Sequence, residues 1–448
     1  MLPSRGVFAP CALRDGMVSS APVTATNIHR AIDAVWRIES ARVIASLAHV
    51  VRDVGLAEEL AQDALVAALE QWPESGVPDN PGAWLTAAAK NRAIDRIRRN
   101  KLIERKHEEL GYEIESDQTD LAAALEAAID DDIGDDLLRL MFTACHPVLS
   151  TEARTTLTLR LLGGLSIEEI ARAFLAAEPA IAQRITRAKR TLADAGVPFE
   201  VPRGEDRTAR LSSVLEVIYL IFNEGYSATA GDNWMRPHLC EDALRLGRIL
   251  AELMPAEPEV HGLVALMEIQ ASRSHARTAS DGSPILLLNQ DRSRWDHLLI
   301  RRGLAALDRA QRLGATQGPY ALQAAIASCH ARAHNAEDTD WPRIAALYFA
   351  LAQLTPSPVV ELNRAVAVSM AFGPAAGLAI ADSLAGERAL DNYHLLPSAR
   401  GDFLMKLGRF DEARQEFERA ASLTRNERER ALLLERAATC AEKSSSEA

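Results

Sequence analysis

The chain has 448 residues, enough for two or three domains that each bury a core, and its composition of 48% hydrophobic but only 5% aromatic residues favours helices. Lys and Arg total 50 against 62 Asp and Glu, a formal net charge of −12 that excludes a protein coating nucleic acid nonspecifically, so any DNA contact must come from locally concentrated positive charge. No apolar run approaches the roughly 20 residues needed to span a bilayer, and the five scattered cysteines, Cys11, Cys145, Cys240, Cys329 and Cys440, give neither a disulfide framework nor a metal knuckle, which fits a reducing cytoplasm.

Residues 1–26 mix Pro, Ser, Gly and Ala without period, and no apolar stretch follows Arg5, so a disordered tail, or a translation start at Met17, is expected there rather than a signal peptide. Residues 27–72 read as helices. In "GLAEELAQDALVAALEQW", Leu56, Leu60, Ala64 and Ala67 form an inner stripe while Glu59, Asp63 and Glu70 face out, and Pro73 is expected to follow the helix end. After the loop "PESGVPDNPG", Asn80 is placed as N-cap with Pro81 in the first turn. The next helix carries Arg92, Arg96 and Arg99 at i, i+4 and i+7 as a basic stripe, with Ala87, Ile94 and Ile97 on another side. Trp84 in its first turn is either a core anchor or, together with the Arg stripe, a stacking platform for single-stranded nucleic acid.

"EELGYEIESDQTDLAAALEAAIDDDIGDD" holds acids and no Lys or Arg, a charged linker rather than a calcium loop, because Asp130, Asp131, Asp132, Asp135 and Asp136 lack alternating ligands around a central Gly. A helix pair follows over residues 135–162. In "LSIEEIARAFLAAEPAIAQRITRAKRTL", Ser166 and Glu169 form a capping box, and Ile167, Ile170, Ala171 and Phe174 recur at helical spacing. After a break near 175–178, Pro179 opens a second helix with Ile181, Ile185, Ala188 and Leu192 behind and Gln183, Arg184, Thr186, Arg187 and Arg190 in front. This is a helix-turn-helix pattern, which local spacing alone does not separate from an ordinary helical hairpin with a solvated face.

Beyond Gly196 a Pro-rich joint, "GVPFEVPRGE", opens a long region that is again helical. Near its end "GDFLMKLGRFDEARQEFERAA" places Gly401, Gly408, Ala413, Phe417 and Ala420 as a tetratricopeptide repeat does, and a helical-repeat superhelix is expected from about Pro319. Cys145–His146 and His238–Cys240 lack a second ligand pair, and Glu224, Tyr226 and Ser227 near His238 lack a nucleophile elbow. No metal, no cofactor and no catalysis are expected.

In order, "AEELAQDALVAALEQW", "PGAWLTAAAKNRAIDRIRRNK" and "LSIEEIARAFLAAEPAIAQRITRAKRTL" resemble regions two and four of an extracytoplasmic-function (ECF) sigma factor of RNA polymerase. The remainder, including "VIYLIFNEGYSA", "LLLNQDRSRWD" and "SPVVELNRAVAV", is similar to the long C-terminal extension of one subgroup. The resemblance implies an all-α fold: a 1–26 tail, region two at 27–106, an acidic linker at 107–134, region four at 135–195, a first helical part of the extension at 205–318 and TPR-like repeats at 319–440. It implies core RNA polymerase and promoter DNA, double-stranded and melted, as partners. Glu59, Gln62 and Asp63 become the expected polymerase contacts. Trp84, Lys90, Asn91, Arg92, Arg96 and Arg99 are expected to bind the proximal promoter element, and Gln183, Arg184, Thr186, Arg187 and Arg190 the distal one. Ala180, Ala182 and Gln183 depart from the family's commonest residues there, and the Gln183 amide suits adenine. Helical repeats build concave surfaces, so a protein or peptide ligand is a further candidate partner. The rival reading is a helix-turn-helix regulator with a repeat-type sensor and no affinity for core polymerase.

Overall fold

The computed structural model describes residues 25–107, 133–174, 176–227, 235–279, 282–314 and 318–447; the expected N-terminal tail and most of the acidic linker lie outside them. The fold is all-α. Among the described residues the first helices are α1 (Ala25–Val51), α2 (Val54–Ser75) and α3 (Pro81–His107), then α4 (Ile133–Ala144), α5 (Thr151–Leu161), α6 (Ile167–Ala173) and α7 (Glu178–Asp194). The extension contributes α8 (Gly204–Tyr226), α9 (Pro237–Leu253), α10 (Pro258–Ala271), α11 (His297–Arg312), α12 (Pro319–Arg332), α13 (Trp341–Leu354), α14 (Pro358–Phe372), α15 (Pro374–Ser383), α16 (Leu395–Lys406), α17 (Phe410–Leu423) and α18 (Glu427–Glu447).

Leu60, Ala64 and Ala67 of the α2 inner stripe are buried and Leu56 is half-buried. The helix does not end before Pro73; it runs on to Ser75. Proline forfeits one backbone donor, but Trp72, 1% exposed, anchors the last turn in the core, and the Gly76 N–H donates to Trp72 O at 2.9 Å from a positive-φ conformation. Asn80 caps α3 as expected, its Oδ1 accepting the Ala83 N–H at 3.1 Å. The apolar side of α3 differs from the expectation. Leu85, Ala89 and Ala93 are buried, at i, i+4 and i+8, whereas Ala87 is exposed, Ile94 is half-buried and the Ile97 side chain lies outside the described ones. Leu85 is the largest of these side chains, and its register decides which stripe enters the core.

One continuous core runs from Ile28 to Ala271 and joins α1–α7 to the start of the extension. Val214, Val217, Ile218 and Ile221 of α8 share it with Phe142, Leu157 and Leu159. A second centre lies among α14–α18 around Phe403 and Phe417. There Gly401 lets Phe417 approach so closely that a Cβ would stand 2.8 Å from its ring, and Ala413 and Ala420 are buried beside it, as the repeat pattern requires.

Candidate nucleic-acid interface

The helix-turn-helix is built from local chemistry. Ser150 caps α5, and at the start of α6 the Ser166 N–H donates to Glu169 Oε2 at 2.9 Å while the Glu169 N–H donates to Ser166 Oγ at 3.1 Å, closing the capping box. Gly164, at φ +71°, lies in the turn that leads from α5 into α6. Ile181, Ile185, Ala188 and Leu192 bury the back of α7. Its front leaves Gln183, Thr186, Arg187 and Arg190 exposed, and half-buried Arg184 donates to Thr156 Oγ1 at 3.4 Å. Arg190 meets Asp194 at 3.4 Å, but both side chains are largely in solvent, so this pair holds little and leaves the guanidinium available.

On α2, Glu59 and Asp63 are exposed on the side away from the core, while half-buried Gln62 turns its amide to donate to Glu58. Trp84 is half-buried, its ring edge-on to Trp72 at 5.3 Å, so part of it serves the core. Lys90 and Arg92 are half-buried, Asn91 and Arg96 are exposed, and the Arg99 side chain lies outside the described ones; of the two described members of the expected stripe, Arg96 is the one open to solvent. A cleft of about 650 Å³ opens beside the first turns of α3, lined by Asn80, Ala83 and Lys90 on one side and by Ile249, Glu252 and Leu253 of α9 on the other. The extension thus supplies one wall of a cleft in the first module, and Ala87 is exposed because it faces that space.

The two modules are fastened together by residues to which the sequence reading gave no such role. Glu58 of α2, 2% exposed, accepts from Arg160 Nε of α5 at 2.6 Å and forms an ion pair with Lys189 of α7. Lys189 is therefore turned away from the basic front of its helix. Arg37 of α1 pairs with Glu169 of α6; burial raises that carboxyl, but the Ser166 N–H and the Arg37 guanidinium outweigh it, and the group titrates below the ordinary glutamate range. Asp136, expected in a solvated linker, is 4% exposed, between His49 at 2.6 Å and Arg139 at 2.5 Å, because a carboxylate with two cationic or hydrogen-bonding partners can leave water.

The extension is clamped onto the helix-turn-helix in turn. Ser213 Oγ of α8 donates to Cys145 O at 2.6 Å, Arg210 to Phe142 O at 3.2 Å, and Arg154 of α5 to Glu216 at 3.1 Å; Arg245 of α9 donates to Leu162 O at 3.1 Å and Gly163 O at 3.2 Å. Burial pushes the thiols of Cys145 and Cys240 up to about 11 and about 12, so both stay protonated and behave as apolar core groups. Glu224, weighed above beside His238, forms an ion pair with Arg236.

A helix-turn-helix whose second helix has an open, basic face, joined to a three-helix module with an acidic outer helix face and a cleft beside a Trp-bearing helix, has the layout of a DNA-binding protein of transcription. Residues 37–103 match the family described as Sigma-70 region 2 and residues 139–192 that described as Sigma-70, region 4, while residues 210–311 match a family of unknown function, DUF6596. The chain is 30% identical over 155 residues to the ECF RNA polymerase sigma factor SigK of Mycobacterium bovis and of Mycobacterium tuberculosis, covering 34% of this chain and 78% of those relatives. It is 46% identical over 383 residues, 85% of this chain and 89% of the relative, to an uncharacterized protein of Rhizobium meliloti (strain 1021), a similarity that takes in the extension. The chain belongs to the ECF sigma factors of RNA polymerase and carries a C-terminal helical extension. No solved structure matches it. No helix among the described residues is long and apolar enough to cross a membrane.

Proposed function

We propose that the chain binds core RNA polymerase through the outer face of α2, directs promoter-specific initiation with α3 and α7, and depends on its extension to hold these parts in working order. The observation that carries this reading is α7: its back is buried and its front, Gln183, Thr186, Arg187 and Arg190, stands open with side chains able to donate to phosphates or bases, in a chain whose net charge is −12. Glu59, Gln62 and Asp63 are the polymerase contacts of this reading. Trp84, Lys90, Asn91, Arg92, Arg96 and Arg99 hold the melted proximal element, where the cleft between α3 and α9 has room for an unstacked base. The working units are residues 27–106, 135–195, 205–318 and 319–440.

The test is association with core polymerase. Replacing Glu59 and Asp63 by Arg abolishes co-purification with core enzyme and leaves thermal unfolding close to wild type, because both are exposed and a reversed charge at a docking patch costs several kcal/mol. Undiminished co-purification removes the polymerase assignment and leaves a helix-turn-helix regulator that acts without it.

Within α7 the exposed residues divide by role. Arg187→Ala weakens promoter use almost uniformly across sequences and lowers the salt slope by about one unit, the signature of a phosphate contact. Gln183→Ala instead changes the preference at one or two base pairs, by roughly 1–3 kcal/mol per lost bidentate contact, measured in a randomised promoter screen. An unchanged preference means that α7 is not the reader.

A further inference from the structure

The extension contains a cavity of about 570 Å³ where α8 and α10 meet α12, α13 and α14, within the size range of small-molecule sites. Its lining among the described residues includes no Asp, Glu or Lys, in a chain of net charge −12. Among the described residues the one Lys or Arg facing it is Arg273, which donates to Gln270, lies 5.7 Å from the Tyr226 ring and 5.9 Å from the Trp295 ring, and has no carboxylate partner. His330, 9% exposed, lines the same space, and its Nδ1 has no hydrogen-bond partner among the described residues. Burial, with Arg273 and Arg292 nearby, pushes this imidazole down to about 4, so near neutral pH it is uncharged and can accept as well as donate. The amides of Asn223, Gln270 and Gln323 complete a neutral polar wall, with the Tyr219 hydroxyl donating to Gln323 at 3.0 Å. Arg273 and Leu287 also border an adjoining, more apolar cavity of about 310 Å³, which gives a ligand's body room beside its charged end.

We propose that this cavity is a binding site for an organic anion, with its acid group on the Arg273 guanidinium and its polar body against Asn223, Gln270, Gln323 and His330. A cation held by aromatic faces and amides rather than by a carboxylate keeps its charge-assisted hydrogen bonds for an incoming acid. An anionic metabolite and the carboxyl end of a peptide share this chemistry. The site touches the DNA-reading half through α8: Tyr219 and Asn223 lie about one to three turns beyond Ser213 and Glu216, which hold Arg154 of the helix-turn-helix. Any effect on transcription rests on the sigma-factor reading; binding does not, and is measured without polymerase or DNA.

The experiment is thermal unfolding of the full chain titrated with hexanoate, with tetra-alanine bearing a free C-terminal carboxylate, and with tetra-alanine amide, against sodium chloride at matched ionic strength. The two carboxylates raise the melting temperature with saturation, the amide and chloride do not, and Arg273→Gln removes the response while Arg273→Lys keeps part of it. Hexanoate acting as well as the free-acid peptide identifies a small anion, and a peptide saturating at lower concentration identifies a chain end. Because Arg273→Gln alters a packed position, Asn363→Trp provides the second variant: Asn363 is exposed at the rim of the cavity, and an indole there weakens the response while Arg273 is intact. Absence of a carboxylate-specific shift in the wild type, or equal shifts in the wild type and both variants, overturns the proposal.

Discussion

Replacing Glu58 by Ala destabilises the chain by about 3 kcal/mol in urea unfolding, the low end of the range for removing one member of a buried ion pair, because Arg160 and Lys189 each retain some access to water. The carboxylate itself is 2% exposed and serves two cations and the Gln62 amide, so its loss leaves positive charge without compensation at the junction of the two modules. Hydrogen exchange locates the effect: protection falls in α7 and at the start of α2, while α16–α18, around the distant Phe417 centre, keep theirs. The triple variant Glu58→Leu, Arg160→Met, Lys189→Met recovers most of the stability, since apolar groups of similar volume replace the whole cluster without a stranded charge. Exchange that rises equally throughout the chain would mean that Glu58 holds no particular junction.

Ending the chain after Val201 abolishes transcription with core polymerase. The cut removes α8, whose Val214, Val217, Ile218 and Ile221 belong to the same core as Phe142 and Leu157, and so uncovers an apolar face on α4 and α5. Arg154, 9% exposed, loses both Ser213 and Glu216, and the Cys145 carbonyl loses its donor. The cleft beside α3 loses its Ile249–Leu253 wall as well. Removing only residues from Tyr393 onward lowers activity without abolishing it, because that cut deletes Phe403 and Phe417 and uncovers Leu362, Leu378 and Leu384 but spares the shared core. The measurement is multiple-round transcription in vitro alongside light scattering. A truncated protein that stays monomeric, binds core polymerase and transcribes faster than the full chain would show that the extension inhibits.

What the sequence discloses here is what lies within one helix. The buried back of α7 follows from four residues at helical spacing, and the capping box of α6 from Ser166 and Glu169 three apart, because both depend on geometry repeated every turn. Pro73 misleads for the same reason: the local rule is sound, but Trp72, held by the tertiary core, overrides it. In α3 two apolar stripes compete, and only packing on α1 and α2 selects Leu85, Ala89 and Ala93 over Ala87 and Ile94. Glu58 is the strongest case. In a string of letters it is one more acid beside Glu59, yet the helix buries the one and exposes the other, and Glu58's partners lie 102 and 131 residues away, where no periodicity reaches.

The Glu58 junction also bears on promoter architecture. Arg160 and Lys189 tie α5 and α7 to α2 through Glu58, so if α7 and the Trp84 end of α3 bind the two promoter elements as proposed, a closed junction makes the protein set the distance between them. B-DNA completes a turn in about 10–10.5 base pairs, so one added or deleted base pair turns one element relative to the other by roughly 35° and moves it about 3.4 Å along the axis. A protein that initiates with the junction closed therefore has a single sharp optimum of spacer length. One that opens it on the polymerase accepts neighbouring lengths, and loosening Glu58 broadens that tolerance without changing which bases are preferred.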